Sequence, residues 1–274
     1  MSTMHGNWIW YELMADDAHV AKSFYEAVVG WTITLDAVPT ADPDTSYALI
    51  ANADGGMTGG MLSITADMKT QGARTAWMGY IGVDDCAAAL DAVVARGGKV
   101  WMPLTTLDVG TMAMVSDPTG APFYIMTPTP PPGAGPSTAY DRHLKGRCGW
   151  NELYAGDAAQ AIGFYTEMFG WSLPGSMDMG SFGTYQFIGR PGVEGEDATM
   201  GAIMPKPPHV PMPHWNFYFR VDDIPAAKAA IEANGGSVLN GPMEVPGGEW
   251  ILQGQDPQGA FFSLVGMNPA TMGH

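Results

Sequence analysis

The chain has 274 residues, 46% hydrophobic and 15% charged, a balance that gives a globular core and excludes a disordered chain. With 12 basic against 28 acidic residues the net charge is −16, and both halves are acidic, which excludes binding to nucleic acid or to an anionic membrane surface. No apolar run reaches the length that spans a bilayer, the start MSTMHGNWIWYEL has no secretory pattern, and Cys86 and Cys148 form neither a disulfide framework nor a zinc spacing, so a reducing cytoplasm is the expected compartment.

The first predicted element is a strand, Trp8–Met14. After Asp17 the apolar positions Ala21, Phe24, Tyr25 and Val28 form one helical stripe, with Asp17 as the cap, Gly30 as the stop and Trp31 as a hydrophobic anchor behind it. Strands follow at Tyr47–Ile50, Gly60–Ile64 and Trp77–Val83, and Gly55-Gly56 and Gly59-Gly60 read as turns. A second helix runs from Asp85 through Leu90 and Val94 to Gly97-Gly98. Strands Lys99–Met102, Thr111–Ser116 and Pro122–Met126 complete the series, the last two joined by the turn Asp117-Pro118-Thr119-Gly120. The order is strand, helix, three strands, and then the same again. Pro128 to Pro136 is a proline- and glycine-rich surface linker.

Beyond the linker the chain repeats itself. Trp10-Tyr11-Glu12-Leu13 aligns with Trp150-Asn151-Glu152-Leu153, Asp17 with Asp157, Phe24-Tyr25 with Phe164-Tyr165, and Gly30-Trp31 with Gly170-Trp171. Trp77, Tyr80 and Val83-Asp84-Asp85 match Trp215, Tyr218 and Val221-Asp222-Asp223. Gly97-Gly98 matches Gly235-Gly236, and Asp117-Pro118-Thr119-Gly120-Ala121 matches Asp256-Pro257-Gln258-Gly259-Ala260. Pro225 falls in the first turn of its helix, where proline is tolerated.

The Asp-capped helix with its Phe-Tyr pair and Gly-Trp end, and the Asp-Pro-x-Gly turn before the last strand, resemble the vicinal oxygen chelate superfamily of glyoxalases, bleomycin-resistance proteins and extradiol dioxygenases. The resemblance covers nearly the whole chain twice and is nearest to two-domain, glyoxalase-like proteins. It implies an α+β fold: a tandem pair of domains, each of two βαβββ modules forming a curved, mostly antiparallel sheet around a cavity. The expected bounds are 5–127 for the first domain, 128–146 for the linker and 147–268 for the second domain.

The superfamily usually holds a divalent metal with His, Gln or Glu. The resemblance places those ligand positions at Trp10 and Trp150, at Met78 and Asn216, and at Tyr124 and Ser263. Indole and thioether suit neither hard nor borderline cations, so no metal and no other cofactor is expected. His209 and His214 read as polar residues of a proline-rich loop.

Strand alternation puts Trp8, Trp10 and Glu12 on one face of the first strand, and Cys148, Trp150 and Glu152 on the matching face of its counterpart. Met78, Tyr80 and Tyr124, and His214, Asn216, Tyr218, Arg220 and Ser263, continue these rows as candidate substrate-binding residues. Trp10 and Trp150 are either core or a stacking wall for a planar ligand. Glu12 and Glu152 are candidate catalytic acids or bases, since burial would raise a carboxyl pKa; the plainer alternative is a salt bridge, with Arg220 the obvious partner of Glu152. Cys148 lies in the cavity-facing row, but the first copy has Trp8 there, and a catalytic thiol would also want a nearby base or helix dipole.

Two functions are therefore expected from different classes. One is binding of a small aromatic or cationic molecule without a metal. The other is a lyase, isomerase or hydroxylase-type enzyme acting on a small carbonyl or hydroxylated compound through Glu12 or Glu152. A scaffold with vestigial pockets is a third reading. The partner is a small molecule, and the covalent pairing of two copies suits a monomer or a homodimer.

Overall fold

The computed structural model describes residues 4–38 and 45–271. In the first repeat β1 (Trp8–Ala15) leads to α1 (Ala18–Val29), β2 (Thr32–Val38), β3 (Tyr47–Ala51), β4 (Met57–Ser63) and the short α2 (Ala66–Thr70). Then come β5 (Ala76–Gly82), α3 (Cys86–Ala95), β6 (Lys99–Leu107), β7 (Gly110–Ser116) and β8 (Pro122–Pro128). The second repeat runs β9 (Cys148–Ala155), α4 (Ala158–Phe169), β10 (Ser176–Asp178), β11 (Thr184–Gly189) and β12 (Thr199–Pro205). It ends with β13 (His214–Val221), α5 (Ile224–Ala233), β14 (Ser237–Glu244), β15 (Trp250–Gln255) and β16 (Phe261–Gly266).

Each repeat forms one eight-stranded mixed sheet, ordered β2-β3-β4-β1-β5-β8-β7-β6 and β10-β11-β12-β9-β13-β16-β15-β14. This is the vicinal oxygen chelate arrangement that the sequence implies. Hairpin-connected neighbours are antiparallel, while β1 with β4, β5 with β8, β9 with β12 and β13 with β16 are parallel.

The helix signals act as their chemistry demands. Asp17 accepts the amides of His19 and Val20, Asp85 that of Ala88, Asp157 that of Gln160 and Asp223 that of Ala226. Gly30 and Gly170 end α1 and α4 in the left-handed region, at φ 83° and 68°. β2 supplies the third strand of the expected trio, where the residue pattern locates only two. Its alternation is weak because few of its residues are buried.

Gly59 and Gly60 lie inside β4, not in a turn. Gly59 stands opposite Tyr11, and Gly201 stands opposite Asn151, in the parallel ladders. A Cβ on either glycine would overlap the facing carbonyl oxygen, so the close backbone approach requires glycine. Gly59→Ala is expected to cost more than about 3 kcal/mol, read as a fall in the denaturant midpoint, because the clash is with rigid backbone.

Two compact units emerge, and each draws on both repeats. One comprises residues up to Ile9 together with Met78–Ser137 and Asn151–Asn216; the other comprises Trp10–Trp77, Thr138–Trp150 and the segment from Phe217 onward. In the first unit α3 lies against α4, and Trp8, Phe123, Phe164, Tyr165, Trp171 and Trp215 form the aromatic core. In the second, α1 lies against α5 around Phe24, Tyr25, Trp31, Trp77, Phe219 and Phe262.

Inside each unit the motif residues of one repeat bond to those of the other. Trp77 donates to the Tyr25 hydroxyl (2.9 Å), which donates to Asp256 (3.2 Å); Trp215, Tyr165 and Asp117 do the same at the same distances. Trp31 donates to the Gly146 carbonyl (2.8 Å) and Trp171 to that of Gly6 (2.6 Å). The Gly-Trp tryptophans are thus anchors with a fixed polar partner, and the Asp-Pro-x-Gly aspartates both close a turn and tie the repeats together. Of the linker, 131–138 is exposed, whereas Ala139 and Gly146 are buried, as is Arg147 just after it.

Candidate functional site

In the first unit β9 presents Glu152 and Tyr154 on one face. Glu152 is buried, and its carboxylate accepts the Tyr185 hydroxyl at 2.7 Å and the Asn216 amide at 3.5 Å. The Asn216 carbonyl oxygen faces His214 Nε2 at 3.2 Å, while His214 Nδ1 lies 3.0 Å from the Met212 carbonyl oxygen. Tyr154 meets the His214 ring edge-on at 5.5 Å. Tyr185, Glu152, Asn216 and His214 therefore form one polar run across β11, β9 and β13, where each bond offsets the cost of burying its partner.

His214 opens β13 and is half-buried, unlike His209, which stays exposed; the loop reading of His214 is corrected because the strand begins at the histidine. Also in the first unit, on β5 and β8, Tyr80 and Tyr124 stack with centroids 4.2 Å apart and planes 6° from parallel; Met78, two residues before Tyr80, is buried.

In the second unit Trp10 donates to the Tyr47 hydroxyl at 2.9 Å. The Tyr47 ring covers Gly60, which faces buried Glu12 across the β1–β4 ladder; a Cβ at Gly60 would overlap that ring. Tyr218 accepts from Gln253 at 2.8 Å, Gln253 accepts from Asn240 at 3.0 Å, and Ser263 pairs with both Tyr218 and Gln253 in register. The ion-pair partner of Arg220 is Glu249, at 2.7 Å. The Arg142 guanidinium lies 5.8 Å over the Trp150 ring, within cation–π range.

Of the nine tryptophans, Trp8, Trp31, Trp77, Trp171 and Trp215 are buried core, Trp10, Trp150 and Trp250 are half-buried, and Trp101 is exposed; of the half-buried three, Trp10 and Trp150 stand at equivalent places in the two repeats. Cys148 is inert: burial pushes its thiol up to about 12, and burial likewise raises Cys86 to about 11. An open groove of about 300 Å³ runs along α3 and α4, lined by His5, Asp84, Ala92, Arg96 and Glu167, and contains none of the candidate residues.

Sequence reasoning misses Tyr47, Tyr185, Gln253 and Glu249. A signal exists for the first two, since Tyr47 opens β3 and Tyr185 is the second residue of β11, the third strand of each repeat. Gln253 and Glu249 carry none, because the first repeat has Met114 and Gly110 in the corresponding stretch.

The profile described as Glyoxalase/Bleomycin resistance protein/Dioxygenase superfamily matches residues 9–125 and again 147–264. The chain belongs to this superfamily. It is 33% identical over 261 residues to "Putative glyoxylase CFP32" of Mycobacterium bovis, covering 93% of each chain. It is 29% identical over 274 residues to "Anthracycline biosynthesis protein DauV" of a Streptomyces species, covering 95% of this chain and 93% of the other. Among solved structures it is similar in fold to the Mn(II)-bound glyoxalase of Novosphingobium aromaticivorans, with TM-score 0.61, 15% identity, and 96% and 82% of the two chains covered.

The superfamily implies a divalent metal, and the side chains at the positions that the sequence resemblance assigns to its ligands do not fit one. Indole stands at 10 and 150, thioether at 78, amide at 216, phenol at 124 and hydroxyl at 263. Among the described residues no three of His, Cys, Asp and Glu come together as a group that could hold a metal ion. Among the same residues, no helix is long and apolar enough to cross a membrane.

Proposed function

We propose that the chain binds a small planar molecule, aromatic or cationic, on these aromatic sheet faces without a bound metal. The observation that carries this reading is the pair of half-buried tryptophans at the superfamily's first ligand position, set apart from five buried core tryptophans. A half-exposed indole held by a hydrogen bond, as Trp10 is by Tyr47, suits a stacking wall. The net charge of −16 would concentrate cationic ligands. The relative named for anthracycline biosynthesis agrees with a planar aromatic ligand. Elemental analysis of the purified protein, with a thermal-shift screen of planar compounds in EDTA, tests the reading. Substoichiometric metal and ligand-dependent shifts are expected; one tightly held divalent ion per chain would overturn it.

A second reading rests on the Tyr185–Glu152–Asn216–His214 run. A buried carboxylate held by two donors could move a proton on a small carbonyl or hydroxylated compound. Once a turnover is found, Glu152→Gln should reduce kcat at least about 100-fold while leaving the thermal midpoint within a few degrees. Full retention of turnover would remove Glu152 from the chemistry, and the same comparison at Glu12 separates the two repeats.

A further inference from the structure

The repeats present different chemistry at equivalent places in their sheets. On the β5–β8 part of the first sheet, Tyr80 lies opposite Tyr124, Tyr124 opposite Met114, Met126 opposite Met112, and Met114 opposite Met102. Directly opposed residues project to the same side, so these four methionines flank the stacked tyrosine pair, and no charged side chain stands between Tyr80 and Met102 in that row. Met102 and Met114 are half-buried, while the rest are buried. In the second repeat Ser263, Gln253 and Asn240 occupy the places of Tyr124, Met114 and Met102, and Gln253 and Asn240 are joined by hydrogen bonds to each other and to Tyr218.

We propose that the β5–β8 face of the first repeat is the seat of a flat, uncharged, fused-ring aromatic ligand, and that the equivalent face of the second repeat rejects it. The proposal rests on the reading of metal-free planar-ligand binding above and deepens it to one ligand class, seated on a first-unit face that does not include Trp10. The stacked tyrosines cover each other's inner faces and leave aromatic edges toward the methionine row, and thioethers are polarizable, adapt their rotamers and make favourable contacts with rings. A charged ligand would lose its hydration there without finding an opposite charge in the row. On the second face an apolar ring would cover the Asn240–Gln253–Tyr218 chain and cut its groups off from water.

The test is a calorimetric titration of the full chain with a dihydroxyanthraquinone and, separately, with a single-ring aromatic cation. The variants Met114→Gln and Tyr124→Ser carry second-repeat chemistry into the first face, Gln253→Met does the reverse, and thermal melts report folding. The anthraquinone should bind the unaltered chain; each first-face change should weaken it by up to about tenfold, and Gln253→Met by less than about twofold. If Met114→Gln or Tyr124→Ser fails to fold, Met102→Asn at the half-buried rim takes its place. Binding indifferent to the first-face changes, or sensitive to Gln253→Met, overturns the proposal and leaves the binding reading standing. So does binding of the cation without the anthraquinone. Failure of both probes, with no hit in the planar-compound screen, overturns both.

Discussion

Asp256→Ala will lower the thermal midpoint by about 10 °C, the effect of losing about 3 kcal/mol in a chain of this size. One carboxylate oxygen of Asp256 accepts the amides of Gln258 and Ala260, both at 2.9 Å, and the other accepts the Tyr25 hydroxyl. Alanine leaves these donors without their acceptor, and Asp256 and Tyr25 are both buried. Asp117→Ala should behave alike, because Asp117 accepts the amides of Thr119, Gly120 and Ala121 and the hydroxyl of Tyr165.

The same aspartates give stability a pH dependence whose sign is fixed. Burial is the largest influence on both carboxyls and raises them above their ordinary value of 3.8. Across the window from that value up to the raised one, the folded state binds more protons than the unfolded state. This contribution to stability is therefore full below the window and is lost as pH rises through it. Urea melts should show that slope in the parent chain, and Asp117→Asn with Asp256→Asn should flatten it. A slope that survives both changes would assign it to other groups.

The second large effect is expected at Arg147, which is only 2% exposed. Its Nη2 donates to both oxygens of Asp54 at 2.9 Å, and its Nη1 donates to the Gly56 carbonyl at 2.9 Å. The preceding Gly146 carbonyl accepts Trp31 and Thr58, and Asn52 bonds to Thr58 and Gly56, so the side chain closes a polar plug over an aromatic core. Arg147→Ala removes the buried stem and leaves the plug open, at a cost of about 3 kcal/mol in urea unfolding. Arg147→Met should recover part of this by restoring volume. Recovery equal to the parent would mean that packing alone matters. Gly56→Ala tests the same plug from the other side, since a Cβ there would overlap the guanidinium.

The fold was legible because each element carries its own local signal. Asp17, Asp85, Asp157 and Asp223 cap helices, Gly30 and Gly170 end them, and the duplication doubles each reading. The cross-repeat bonds were not legible. Tyr25 and Asp256 are 231 residues apart, and no local pattern pairs a helical tyrosine with a turn aspartate. Glu152 shows the same limit at the site: Arg220 was its natural electrostatic partner by charge, but Glu249 pairs with that guanidinium and a neutral phenol bonds the carboxylate. The glycines of β4 misled because glycine usually signals a turn, whereas here it admits a facing carbonyl.

On the proposed reading the chain binds its ligand without the divalent metal that its superfamily usually holds. Calorimetric titration of one planar ligand into the protein, once in EDTA and once with saturating manganese, decides between the two. The same dissociation constant is expected in both, within about twofold, with a loss of affinity in Tyr124→Ser. Binding that appears only with manganese would contradict it.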